Sequence, residues 1–250
     1  MNEKQYHVQL AKGDVGRYVL LPGDPGRVPK IAGYLKNARE VAQNREYTTY
    51  TGEVDGIKVS VTSTGIGCPS AAIAVEELAR VGADTFIRVG TAGTLQDHVK
   101  LGDLVISTST VREDGTSLQY VPVNYPAVAD FQLTMALYEA ARKLGYAAHL
   151  GISQTKDAFF TEEDDPHLPR YEAIRERWET WRKANVLASS MESAAIFVIS
   201  SIRKLRAAEI LAIIGSSFSD KPIQKKVGID EAIRTSIEAI KIIAARDKKK

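Results

Sequence analysis

Thr85-Phe86-Ile87-Arg88-Val89-Gly90-Thr91-Ala92-Gly93 is the stretch that decides the fold. Thr85–Val89 is rich in β-branched and aromatic residues, as a strand buried on both faces requires. It runs straight into a glycine-rich turn that carries an arginine. Working outward, the same strand-then-glycine arrangement recurs twice: Leu21-Pro22-Gly23-Asp24-Pro25-Gly26-Arg27 follows Arg17–Leu21, and Ser63-Thr64-Gly65-Ile66-Gly67 follows Lys58–Thr62. Further strands are expected at Asp103–Thr108, Leu150–Gln154 and Glu209–Ile214. They alternate with helical patterns, which predicts an α/β fold with a largely parallel or mixed sheet.

The helices are written in the apolar spacing. Ala71, Ala74, Val75, Leu78 and Ala79 form one stripe, with Pro69 and Ser70 at its start and Gly82 just beyond it. Val128 to Leu144 reads as a second helix closed by Gly145. Arg170 to Lys183 is charged but carries Trp178 and Trp181, a surface helix or lid with an apolar edge. Glu192 to Lys204 is largely apolar. Asp230 to Arg246 places Ile233, Ile237, Ile240 and Ile243 on one stripe. Two irregular stretches, Val111 to Ala127 and Phe159 to Pro169, are long enough to carry function.

At 250 residues and 44% hydrophobic, the chain can fill one sizeable core, so a single domain over 1–250 is expected. A net charge of +2 gives no reason to expect a nucleic acid partner. One cysteine, Cys68, excludes an internal disulfide and fits a reducing compartment. Cys68 lies in a small-residue loop with no histidine nearby in sequence, so it reads as packing and not as a nucleophile. No apolar run approaches a membrane span, and the N-terminal stretch is polar, so a cytoplasmic protein is expected.

The glycine turns let backbone amides converge on an anion at the carboxyl ends of strands. Arg27 and Arg88 lie in two of them, and Arg45 lies in Asn44-Arg45-Glu46-Tyr47; each offers a planar fork suited to phosphate oxygens. On composition alone a carboxylate ligand remains equally possible. No GxxxxGK[ST] or GxGxxG spacing is present, and the four histidines are dispersed without metal-ligand spacing. Glu192, in Ser190-Met191-Glu192-Ser193-Ala194-Ala195, has two readings. It is a favourable charge in a helix's first turn, the reading local evidence favours, or an acceptor for two vicinal hydroxyls such as those of ribose.

Seven strings taken together resemble the nucleoside phosphorylase family, its uridine phosphorylase branch in particular: PGDPGRV (22–28), REYTTYTGEVDG (45–56), STGIGCPSAAIAVEEL (63–78), FIRVGTAG (86–93), VREDGTS (111–117), YPAVADF (125–131) and MESAAIF (191–197). They run in family order along nearly the whole chain. The resemblance implies a single domain with a central, partly barrel-like mixed sheet wrapped by helices. It implies a homohexamer built as a trimer of dimers, with the active site shared across a dimer interface. It implies no cofactor, with inorganic phosphate as co-substrate. Gly23, Arg27, Arg88 and Thr91 would bind phosphate, and Arg45 would reach the phosphate of the neighbouring subunit. Met191 and Glu192 would hold the ribose hydroxyls, His7 would reach across the interface to the 5′-hydroxyl, and Phe159 would pack on base or sugar. Glu46, Ile66 and Ser70 match positions that hold a monovalent cation such as K+ in some members.

The base pocket departs from the best-known bacterial pattern. Acids, Glu162 to Asp165, stand where a Gln and an Arg read the uracil edge. Lys156-Asp157-Ala158-Phe159-Phe160 and the Trp-rich helix resemble a second subgroup, which makes Lys156 the candidate donor to a uracil carbonyl. That subgroup's histidine falls at Glu163 or is displaced to His167. Asp220, in Ser217-Phe218-Ser219-Asp220, is either a turn aspartate before Lys221-Pro222 or the acid that protonates a purine base in purine-specific relatives. The implied reaction is uridine plus phosphate to uracil plus ribose 1-phosphate. The alternatives are purine phosphorolysis, a water-using nucleosidase that would have no need of the three arginines, and a nucleoside-binding homologue without catalysis.

Overall fold

The central strand, β5 (Thr85–Thr94), has a different arrangement on each of its edges. On one edge β10 (Arg206–Ser216) lies parallel along its whole length, Arg206 opposite Thr85 and Ser216 opposite Thr94. The other edge is shared by two short strands. β1 (Tyr18–Leu21) runs parallel to β5 and ends with Leu21 opposite Arg88; β9 (Ala188–Ser190) runs antiparallel, Ala188 opposite Thr94 and Ser189 opposite Gly93. The two approach each other head to head, and Val89 to Ala92 are left without a strand partner on that edge. A computed structural model describes residues 3–219 and 223–248, and these statements concern those residues.

From this fork the sheet closes in one direction and opens in the other. β10 pairs antiparallel with β6 (Leu104–Glu113), β6 pairs parallel with β8 (Ala148–Lys156), and β8 pairs parallel with β9, completing a five-stranded barrel-like ring. On the open side β1 continues to β4 (Ile57–Thr62), β3 (Tyr47–Val54) and β2 (Lys36–Asn44), while β7 (Ala127–Val128) adds to β6. Six helices surround the sheet: α1 (Val28–Ala32), α2 (Cys68–Arg80), α3 (Phe131–Leu144), α4 (Tyr171–Lys183), α5 (Ser193–Ile202) and α6 (Ile229–Asp247). α3 and α6 pack Leu133, Leu137, Ile233 and Ile240 on Leu104, Ile106 and Ile210. α2 and α5 pack Val75, Leu78, Ile196 and Phe197 on Val19, Leu21 and Phe86.

Each expected strand and helix is present, with different ends. The helix expected from Val128 begins at Phe131, because the Asp130 carboxylate accepts the Leu133 N–H at 2.8 Å and caps it. Val128 itself belongs to β7. β6 runs on through Val111–Glu113, so only the remainder of the 111–127 stretch is irregular, with a 3-10 turn at Ser117–Gln119. A second 3-10 turn, Phe159–Glu162, opens the other irregular stretch. The β2–β3 hairpin was not anticipated, for its first strand is polar and mostly exposed.

The C-terminal end of α6 is fastened to the barrel by Asp247. Its carboxylate accepts from the Tyr18 hydroxyl at 2.8 Å and from Arg206 Nη1 and Nη2 at 2.9 and 2.7 Å. The Arg206 hydrogen bonds hold the Asp247 carboxyl below the usual carboxylate range. A carboxyl with a depressed folded-state value stabilises the fold above the unfolded-state value, near pH 4, and that contribution is lost as pH falls through the folded value. Asp247→Asn is expected to cost about 1–2 kcal/mol at pH 7 and to make the melting temperature fall less steeply between pH 5 and 3. Thermal melts across that range measure both effects.

Candidate active site

β1 and β9 deliver their following segments to the unpaired stretch of β5. After β1 the chain turns through Gly23, and the Asp24 carboxylate accepts the Gly26 N–H at 2.8 Å, which fixes the turn that aims Arg27 inward. Arg27 Nη1 donates to the Val89 carbonyl at 3.1 Å, one of the backbone groups that the fork leaves without a strand neighbour. Burial, and next to it the positive charge of Arg88, hold the Arg27 guanidinium below its ordinary value. Two guanidinium groups close enough to disfavour each other's charge make a place where an oxyanion is favoured.

Arg88 is 5% exposed and is gripped by two buried acids. Its Nη2 pairs with Glu192 Oε2, and its Nε lies 3.3 Å from Glu209 Oε1. The latter is an ion-pair distance without hydrogen-bond alignment, and Nε and Nη1 have no hydrogen-bond partner among the described residues. Glu209 is otherwise satisfied by the hydroxyls of Ser107 at 2.6 Å, Ser153 at 3.3 Å and Ser193. Buried donors without partners are rare and costly, so Arg88 Nη1 marks where a ligand acceptor belongs.

Glu192 is the residue that caps the start of α5 without a side-chain cap bond. Its carboxylate instead accepts the Gly67 N–H at 2.9 Å, ties the second glycine turn to α5, and faces the same cavity as Arg88. The backbone at Gly67 has φ +95°, a conformation glycine adopts at little cost.

The cavity is about 550 Å³. Its lining includes Gly23, Arg27, Arg88 and Thr91, with Ile66, Met191 and Glu192. Lys156, Phe159, Glu162, Ser189, Ile214 and Ile223 also line it. Lys156 is buried; its Nζ is 2.6 Å from Glu162 Oε2 and donates to Ser189 Oγ at 2.7 Å. Glu162 Oε1 accepts from the Ser217 hydroxyl. A Cβ at Gly93 would lie 2.8 Å from that same oxygen, so glycine is what lets the carboxylate approach β5. α4 holds the segment in place: Trp178, 1% exposed, donates its indole N–H to the Thr161 carbonyl at 2.7 Å.

The other expected site residues lie off this cavity. Arg45 is exposed, with its guanidinium over the Tyr6 ring at 5.8 Å. His7 packs edge-on against Tyr6, and its Nδ1 is 2.7 Å from Glu77 Oε1. Glu46 and Ser70 are joined by a 2.8 Å hydrogen bond from the hydroxyl to the carboxylate. The Glu46 carboxyl is held below its usual range, chiefly by a hydrogen bond from its own backbone amide. Glu163 gives up the inward position to its neighbour: the 3-10 turn points Glu162 into the cavity, while Glu163 pairs backbone with Ser219. Asp220 lies outside the described residues. Cys68 is fully buried, and burial pushes its thiol far up, as suits packing. Glu209 escaped notice in the sequence, although one acid inside the apolar run Arg206–Ser216 signals a buried partner.

A family model described as "Phosphorylase superfamily" matches residues 17–245. The chain belongs to the phosphorylase superfamily. Within that superfamily it is 47% identical to a uridine phosphorylase of Thermococcus kodakarensis, over 98% of this chain and 89% of that one. It is 43% identical to a uridine phosphorylase of Treponema pallidum, over 97% and 95%. It is also 40% identical to a guanosine phosphorylase of Halorubrum lacusprofundi, over 95% and 98%. In this superfamily member no helix among the described residues is long and apolar enough to cross a membrane.

If Arg27 and the free donor of Arg88 form an oxyanion site, saturating inorganic phosphate will stabilise the protein. At a concentration about 100 times the dissociation constant the gain is about 2.7 kcal/mol, or roughly 5–10 °C in melting temperature. Thermal melts with and without phosphate read this, and Arg27→Ala is expected to lose most of the shift.

Proposed function

We propose that the protein is a nucleoside phosphorylase, a pentosyltransferase that converts uridine and phosphate to uracil and ribose 1-phosphate, reversibly. The observation that carries the reading is the unsatisfied Arg88 donor beside Arg27, at the edge of a cavity that also holds Glu192 and the Lys156–Glu162 pair. A water-using nucleosidase has no need of that donor pair. Two relatives named uridine phosphorylase at 43–47% identity support uridine as the substrate.

In the proposed reaction the glycosidic bond stretches first, and positive charge builds on the ribose ring. Phosphate, oriented by Arg27 and Arg88 with Gly23 and Thr91, serves as nucleophile and counter-charge. Glu192 accepts from the ribose hydroxyls beside Met191, and Phe159 covers base or sugar. Lys156 donates to a carbonyl of the departing uracil, where negative charge collects.

The proposal includes a second copy of the chain, in a homohexamer built from dimers. Arg27 and Arg88 bring two positive charges to the site, and Glu192 and Glu209 bring two negative ones. A phosphate dianion therefore needs a further cation. Arg45 and His7 flank Tyr6 away from the cavity of their own chain, and in the proposed dimer they reach into the neighbour's cavity. Glu46, the backbone at Ile66, and Ser70 supply hard oxygen donors that suit a monovalent cation such as K+. The single cysteine, free of any disulfide, is in keeping with a cytoplasmic setting, which completes the proposal.

Phosphate-dependent release of uracil from uridine is the direct test, with guanosine and inosine as comparison substrates. Uridine is expected to give the highest kcat/KM. Arg27→Ala is expected to lower kcat/KM by about 10²–10³-fold while the far-ultraviolet circular dichroism stays unchanged. Equal activity with and without phosphate would rule the proposal out.

A further inference from the structure

Lys156 and Glu162 leave hydrogen-bonding capacity that the protein does not use. An ammonium has three N–H donors. One of those of Lys156 goes to Ser189 Oγ, a second faces Glu162 Oε2 at an ion-pair distance of 2.6 Å, and the Trp178 ring lies 5.7 Å from the nitrogen. A carboxylate offers about four acceptor sites. Glu162 fills two, with Lys156 on Oε2 and the Ser217 hydroxyl on Oε1. Both side chains are nearly inaccessible, at 3% and 4%, yet both line the cavity. Their neighbours on the wall include the apolar Phe159, Ile214 and Ile223, which offer no side-chain hydrogen bond in their place.

The pair lies well away from the oxyanion site. Glu162 meets β5 at Gly93, three residues beyond Gly90, where the Arg88 guanidinium lies, which is roughly 10 Å along an extended strand. A sugar fits between the two, and the base then faces Lys156 and Glu162. What they present to it is one spare donor beside a spare acceptor, in a pair without net charge. The complement of that pattern is a ring carbonyl next to a ring N–H.

We propose that Glu162 is a specificity-determining residue that accepts the N3–H of the base, with Lys156 donating to the adjacent carbonyl. The inference rests on the nucleoside phosphorolysis reading above and adds the class of base. Uracil and thymine carry N3–H between two carbonyls, so either neighbouring carbonyl can meet Lys156. Cytosine has a bare N3, which would set a lone pair against the Glu162 carboxylate and leave that acceptor unmet. A buried site built to hydrogen-bond one partner rejects the analogue that lacks it by about 10³-fold or more. Ser217 and Trp178 act as positioning residues, the first through the carboxylate itself and the second through Thr161.

The test uses the wild-type protein first, with base analogues as probes. Calorimetric titration in the presence of phosphate compares uracil with 3-methyluracil, and phosphorolysis compares uridine, 3-methyluridine and cytidine. The expected result is that uracil binds and 3-methyluracil does not, and that uridine exceeds both other nucleosides by about 10³-fold in kcat/KM. Glu162→Gln adds an amide donor that can face a bare N3, and the uridine-to-cytidine ratio is expected to fall at least about tenfold. Equal binding of the two bases, cleavage of 3-methyluridine within tenfold of uridine, or an unchanged ratio in Glu162→Gln would each overturn the proposal. Selective uracil binding without cleavage of any nucleoside would uphold the Glu162 role and overturn phosphorolysis instead.

Discussion

Everything at this site depends on a guanidinium held in the fork of the sheet. Arg88 sits where β1 stops on one edge of β5, just before the gap that separates it from β9. An arginine buried there without counter-charges would cost far more than the fold can bear. Glu209 from β10 and Glu192 at the head of α5 supply them, from opposite sides of the strand. The pairing leaves a donor over, and the backbone gap beside it gives Arg27 a carbonyl to rest on. The stability problem of a buried cation and the proposed binding of an oxyanion thus have one structural solution.

The fork also explains why chemistry gathers from distant parts of the chain. Strand directions alone bring the carboxyl end of β1 and the carboxyl end of β9 toward the same four residues of β5. The segments that follow them, the Gly23–Arg27 turn and the Met191–Glu192 approach to α5, have no other place to go. The wall at Lys156 and Glu162 is assembled differently. It depends on a short 3-10 turn, a glycine at position 93 that admits a carboxylate, and the indole of Trp178 holding Thr161. One wall is fixed by the sheet itself, and the other is fixed by side chains. If Lys156 and Glu162 read the base as proposed, substrate choice can vary there without disturbing Arg88.

Much of this was legible in the sequence, for identifiable reasons. Strands such as Thr85–Val89 announce themselves through β-branched residues, and Gly145 and Pro69 mark helix ends. Where strands continue through small or polar residues, as β5 does through Thr91–Thr94 and β6 through Ser107–Glu113, their lengths escape such a reading. The β2 strand is mostly polar and exposed, with Ala38, Val41 and Ala42 only partly buried against the cores, and it left no periodic signal. Arg27 and Glu192 were readable as candidates because a glycine turn and a helix start surround them; Arg88 was readable beside Gly90 and Gly93, although that stretch continues as strand β5 and is not the turn its glycines suggest. That Glu162 and not Glu163 faces inward could not be read, since one residue of a 3-10 turn decides it. The Lys156–Glu162–Ser217 chain joins three separate segments, and no local pattern encodes it.

In the proposed reaction phosphate, and not water, attacks the sugar between Arg27 and Arg88. Cleavage of uridine in oxygen-18-labelled water with unlabelled phosphate tests it most directly, with the isotope at the sugar C1 oxygen as the readout. The account predicts ribose 1-phosphate carrying no label. Release of free ribose with no ribose 1-phosphate would contradict it.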